Sequence, residues 1–313
     1  MKPRLRCSLS VMMVCLVLLT SMAELSAASL TWTIDTTRSV TYSPDSTSLV
    51  ACHVNVTYKS TGTTYTAGNR YCIIISAATV SPTTTPALSY SAWAPTMGVN
   101  QLNIGATPST LTQVLSGSFP SNTANGTVQS YSFDFVLANS TFPNPRTYTV
   151  SLTEKLYPSC NSFPTLGGTP STKTQSISVI VPNCYDVSVV PTGGAFSTTT
   201  TSQPLDFGTL ASGTTLGADI LVRSNVGYSL ALTSPNKGVM SNGVDTVPYI
   251  LKLGVTTKSL ATGSTTLASR VAKNNTKAPP QTKYPITATI GTLPSNLSSG
   301  TYTDTLTITL TSP

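Results

Sequence analysis

The 313-residue chain carries 17 basic and 10 acidic residues, a net charge of +7, and only 9% of its side chains are charged, against about 25% in a typical globular protein. So sparse a basic excess lacks the dense Lys/Arg stripe of a nucleic-acid-binding surface, and a single histidine, His53, rules out a His-based metal cluster. Ser and Thr take the place of the charges, and branched Thr packs well on a pleated surface, so the chain reads as all-β.

Lys2, Arg4 and Arg6 precede an apolar run from Leu9 to Leu19, with small residues around Ala28. That is the pattern of a secretory signal peptide over residues 1–28, and the run is too short for a comfortable transmembrane helix. The alternative is a retained N-terminal anchor. Export removes Lys2, Arg4, Arg6 and Glu24, leaving 285 residues with a net charge of +5, enough for about two domains. The basic excess is concentrated at Lys252, Lys258, Arg270, Lys273, Lys277 and Lys283, without interleaved aromatics, and reads as a solvated face. Cys7 and Cys15 leave with the signal. Cys52, Cys72, Cys160 and Cys184 stay, and four thiols in an exported chain allow three disulfide connectivities. None lies beyond Cys184, which divides the mature chain into differently built halves, 29–184 and 185–313.

In chain order, "SLTWTIDT" places Leu30, Trp32 and Ile34 in phase; it suits a first strand of the leading half or a donor strand for another chain. "LVACHVNVTY" puts Val50, Cys52, Val54 and Val56 on one face. "YCIII", "VQSYSFDFVL" and "PRTYTVSLTEKLY" follow, and "TQSISVIVP" supplies Ile177, Val179 and Val181. "PNCYD" is a turn-like boundary. The second half continues through "DVSVV", "QPLDFGTL", "GADILVR", "GYSLALT", "VPYILKL" and "YPITATI", at spacings suited to a β-sandwich. It closes on "LSSGTYTDTLTITLTSP", with Leu306, Ile308 and Leu310 on one side and Thr303, Thr305, Thr307 and Thr309 on the other. "NPRTYTVSL" in the first half is a weak echo of "SSGTYTDTL" in the second. An apolar strand, Ile177 to Val181, comes after the first copy, and none comes after the second. The expectation is a trailing sandwich with an open apolar groove, suited to β-strand addition; the alternative is a sheet order that closes itself.

From about residue 186 onward the chain resembles the spore coat protein U-like family, the subunits of archaic chaperone–usher pili. The residues that carry the resemblance are "LDFGTLASGT" (Leu205 to Thr214), "VGYSLALTS" (Val226 to Ser234) and "LPSNLSSGTYTDTLTITL" (Leu293 to Leu310), the last being the most specific. The resemblance implies two immunoglobulin-like sandwiches. The C-terminal one is incomplete and completed by a donor strand from an adjacent pilus subunit. A periplasmic chaperone would fill the groove before assembly, and an outer-membrane usher would direct the exchange. Leu205, Phe207, Tyr302, Leu306, Ile308 and Leu310 are the candidate groove residues. The chain departs from the family at "ILVRSNVGY", where many members carry a cysteine and this one does not. Cys184 is therefore assigned to the leading domain, with Cys160 as its partner, a pairing that a simple hairpin between the last two strands would forbid. Cys52–Cys72 is the expected companion pair.

A complete leading domain on a pilin domain looks like the tip adhesin of such a pilus, displayed on the cell surface and attaching it to an abiotic or host surface during biofilm formation. Candidate adhesive-loop residues are Leu88, Tyr90, Trp93, Met97, Val99, Phe119, Phe163 and Leu166, on loops rich in Pro and Gly; the alternative for each is core packing. Other readings are a structural adaptor or coat subunit, and a lectin-like binder in which Trp93 stacks a sugar. Catalysis finds no support: the acids are scattered, no phosphate-binding loop is present, and no cofactor is expected. The Asn-X-Thr triplets at "NVTY", "NGTV", "NSTF" and "NNTK" are expected by chance in a chain this rich in Thr and Asn.

Overall fold

The computed structural model describes residues 29–59, 70–94, 100–120, 123–273 and 282–312. The signal-peptide reading, Met97, Val99 and Lys277 lie outside them. Nineteen strands and one short 3₁₀ turn (Leu111–Gln113) make up the named elements, and the fold is all-β.

The first ten strands are β1 (Ser29–Ile34), β2 (Thr37–Thr41), β3 (Ser48–Lys59), β4 (Arg70–Ser81), β5 (Tyr90–Ala94), β6 (Asn100–Leu102), β7 (Leu115–Ser118), β8 (Val128–Leu137), β9 (Arg146–Tyr157) and β10 (Ser171–Val181). They form two five-stranded sheets, ordered β1-β3-β8-β5-β6 and β2-β10-β9-β4-β7. "SLTWTIDT" is thus built into its own sandwich: Trp32 faces Val56 across the β1–β3 pair, and its indole donates to Ser171 Oγ at 2.8 Å. The chain then crosses to the second sheet, where β2 runs parallel to β10. Alternation along β9 and β10 buries Tyr148, Val150, Leu152, Ile177 and Val179 completely, as period-two strands facing a second sheet must.

The remaining strands are β11 (Tyr185–Pro191), β12 (Thr215–Ser224), β13 (Tyr228–Thr233), β14 (Val239–Ser241), β15 (Thr246–Leu253), β16 (Thr256–Lys258), β17 (Ser264–Val271), β18 (Thr282–Ile290) and β19 (Thr307–Thr311). One sheet runs β11-β12-β18-β15-β14, with β16 beside β15, and the other is only β17-β13-β19. Each sandwich has its own apolar core.

The disulfide corrects the expected pairing. Cys72 joins Cys160, with Cα atoms 6.0 Å apart, and Cys52 and Cys184 are free. Strand phase explains the first error: Tyr71, Ile73 and Ile75 of β4 point into the core with Cys52, so Cys72 points the other way, into a small cluster with Ile74, Val114 and Cys160. Topology explains the second. β9 and β10 form a simple antiparallel hairpin, with Leu156 opposite Ser171 and Arg146 opposite Val181. Cys160 therefore lies at one end and Cys184 at the other. The bridge spans 88 residues, so reducing it, or the substitution Cys72→Ala, should cost the first sandwich about 4–5 kcal/mol in a denaturant titration.

Candidate functional site: an open groove in the second sandwich

The two sandwiches share a plan, and the plan shows what the second one lacks. Strand order β1-β3-β8-β5 in the first matches β11-β12-β18-β15 in the second. In the facing sheet, β7-β4-β9 matches β17-β13-β19. The weak sequence echo marks this equivalence physically: Tyr148 OH donates to the Asn144 carbonyl at 2.9 Å, and Tyr302 OH to the Ser298 carbonyl at 2.8 Å. Both are tyrosine corners, a device that anchors the entry to a late sandwich strand. In the first sandwich β9 is flanked by β4 and β10, and β10 by β2. Among the described residues β19 pairs only with β13. Among the described residues that sheet has no counterpart of β10 or β2.

The gap is a groove of about 760 Å³. Its floor is the opposite sheet: Val187 and Val189 of β11, Ala218 of β12, Ile286 and Ala288 of β18. Leu306 and Ile308 form one bank, and the segment from Thr201 to Leu205 with Phe207 forms the other. That second bank follows β11 and precedes β12, as β2 follows β1 and precedes β3, and it has no strand pairing of its own. Exposure reports the missing cover. Val150 and Leu152 on β9, the counterpart of β19, are fully buried beneath β10, whereas Leu306, Ile308 and Leu310 remain half-buried. At one end the lining turns polar. Asp304 Oδ2 accepts from Ser234 Oγ and Tyr249 OH, each at 2.6 Å, and Oδ1 accepts from the Thr305 amide at 2.8 Å. Burial pushes the Tyr249 phenol up, and the Asp304 carboxylate beside it adds to the effect.

Of the expected groove residues, Leu205, Phe207, Tyr302, Leu306 and Ile308 line this one cavity, and Leu310 packs on the core beside it. The floor residues were missed because an inward strand position reads the same in sequence whether or not its face is covered. The six adhesive-loop candidates among the described residues do not assemble into one surface. Leu88 and Phe119 lie on loops as expected, but their side chains turn inward and are buried in the first sandwich's core. Tyr90 and Trp93 belong to β5, a correction to their placement on loops, because the segment pairs with β8. Tyr90 stacks on Phe135 with ring centroids 5.3 Å apart, and the Trp93 indole donates to Ser91 Oγ at 2.9 Å. Trp93 sits opposite Asp134, itself opposite Ala51, nearer the end of the first sandwich that faces the second. Phe163 and Leu166 lie between β9 and β10 at the other end, packed on the Cys72–Cys160 cluster.

A buried joint links the sandwiches. Arg223, 5% exposed, reaches Asp45 Oδ1 at 2.6 Å and Asp186 Oδ2 at 2.8 Å, with its guanidinium 4.7 Å from the Phe196 ring centroid. Asn225, fully buried, donates to the carbonyls of Pro143 and Pro182 and accepts from the Cys184 amide. These two residues occupy the "ILVRSNVGY" stretch in which the resembled family often carries a cysteine. Among the described residues no group of three or more His, Cys, Asp or Glu side chains is placed to hold a metal ion.

Neither a family model nor a curated protein matches the chain. Among solved structures it is similar to a chain of the CsuC–CsuE chaperone–tip adhesion subunit pre-assembly complex from archaic chaperone-usher Csu pili of Acinetobacter baumannii. The identity is 14%, over 90% of this chain and 99% of that one, with a TM-score of 0.45. It is also similar to the CupB6 tip adhesin from Pseudomonas aeruginosa, at 9% identity over 91% and 96% of the two chains and a TM-score of 0.32. A third is a chain of a chaperone–tip adhesin complex of CFA/I fimbriae, at 10% identity over 89% and 97%, with a TM-score of 0.33. The vacancy beside β19 rests on this chain's own strands.

Proposed function

We propose that this chain is the tip subunit of a chaperone–usher pilus, exported to the cell surface, whose second sandwich is completed by a strand from another polypeptide. The observation that supports this most is the half-covered β19 beside an apolar groove, in a sheet whose described strands include no counterpart of β10 or β2. The first sandwich supplies a template for the occupant: β10, antiparallel to β9 and parallel to β2. A strand in the groove would by the same geometry run antiparallel to β19 and alongside Thr201 to Leu205. A periplasmic chaperone would lend it first, and the adjacent subunit, guided by the usher, would replace it.

The leading sandwich has no such gap in its β2-β10-β9 arrangement, which suits a module that ends a fibre and meets a target surface. Its end remote from the joint, where Phe163 and Leu166 lie, is the proposed contact region for an abiotic or host surface in biofilm formation. Immunogold labelling with an antibody to residues 29–184 tests the placement. Gold at fibre ends is expected; gold along the shaft would replace the tip assignment with an adaptor or coat subunit.

A further inference from the structure

The groove is apolar along most of its length and carries one carboxylate, Asp304, on its wall. Counting from the corner tyrosines, Asp304 occupies the place that Val150 holds in the first sandwich, and Leu306 and Ile308 the places of Leu152 and Glu154. In the first sandwich the occupant strand sets Val179 opposite Tyr148, Ile177 opposite Val150 and Gln175 opposite Leu152. Directly opposed residues in an antiparallel pair point to the same face. An occupant of the second sandwich therefore presents inward side chains opposite Leu310, Ile308, Leu306, Asp304 and Tyr302, in that order from its N-terminus.

Four of these sites face apolar or aromatic partners and one faces a carboxylate. Oδ2 of Asp304 is engaged by Ser234 and Tyr249, whereas among the described residues Oδ1 has only the Thr305 amide, and a carboxylate accepts about four hydrogen bonds. An occupant that covers Asp304 with a hydrocarbon removes water from Oδ1 without replacing its hydrogen bonds, and one that places an acid there adds like-charge repulsion. Resting on the reading that the groove takes a strand, we infer that Asp304 selects its partner. The donated strand carries a hydrogen-bond donor side chain, a lysine, serine or asparagine, at the fourth of five inward positions, with apolar residues at the first three.

The test uses the full chain and three eleven-residue synthetic peptides with one apolar inward pattern, differing only at the fourth inward position: Lys, Leu or Asp. Fluorescence anisotropy should show the Lys peptide binding at least tenfold more tightly than the Asp peptide, with Leu between them. On the Asp304→Asn chain the Lys-over-Asp preference should shrink several-fold, while binding of the Leu peptide shows that the groove still forms. Binding of all three within twofold of one another would overturn the selection by Asp304 and leave strand acceptance standing. If no peptide binds, strand acceptance itself is overturned, and the selection with it.

Discussion

Replacing Ile308 with glutamate should leave the free chain folded yet weaken capture of a strand by about 1000-fold at pH 8, and far less at pH 5. Ile308 is only half-buried in the open groove, so a charged side chain there can remain hydrated until a strand covers it. The first sandwich shows the effect of such a cover on a carboxyl group. Glu154 stands six residues after the corner tyrosine Tyr148, as Ile308 stands six after Tyr302, and there β10 is in place. Burial pushes its carboxyl from the ordinary 4.5 to about 8, and the charge of Asp35 adds to that. Each pH unit in that interval is a factor of ten in affinity, hence roughly three decades when a strand must bury a glutamate at pH 8. Titrating a labelled strand peptide against both forms at the two pH values measures it. Equal affinities would show that Ile308 does not face the occupant.

Glu154 itself should make the first sandwich lose stability as pH rises. It is fully buried on β9 between Leu152 and Leu156, and neither of its oxygens has a hydrogen-bond partner among the described residues. Gln175, diagonally across on β10, is equally buried and unpartnered. Folded, the carboxyl keeps its proton up to about 8; unfolded, it ionises near 4.5. Between those values the unfolded state binds fewer protons, so stability falls with rising pH at about 1.4 kcal/mol per unit. The contribution is complete below about pH 4.5 and lost above about pH 8. Urea titrations from pH 5 to 8 should show this slope in the parent chain and a much shallower one in Glu154→Gln. A parent profile as flat as that of the variant would mean the carboxyl is hydrated in the folded state.

Much of the groove was legible because its bank is a period-two strand with a tyrosine, an acid and three aliphatics in fixed phase. The all-β class came from Thr-rich alternation in the same way. What escaped depends on distances the sequence does not carry. Cys52 and Cys72 lie on long strands of facing sheets, and only the phase of β4 decides that one thiol points into the core and the other out of it. The joint is harder still. Arg223 meets Asp45 across 178 positions and Asn225 meets Pro143 across 82, and neither pair has a local signature. Leu88, Tyr90 and Phe119 sit among turn-forming residues, yet an aromatic or aliphatic beside a loop turns inward wherever the sheet below offers room.

Hydrogen exchange along β19 tests the vacancy most directly. In the free monomeric chain, the alternate amides of Thr307–Thr311 that point away from β13 should exchange far faster than those of β9, and slow markedly once a strand peptide fills the groove. If every β19 amide is as protected as those of β9 in the chain alone, the edge is already paired and the account of an open sandwich is wrong.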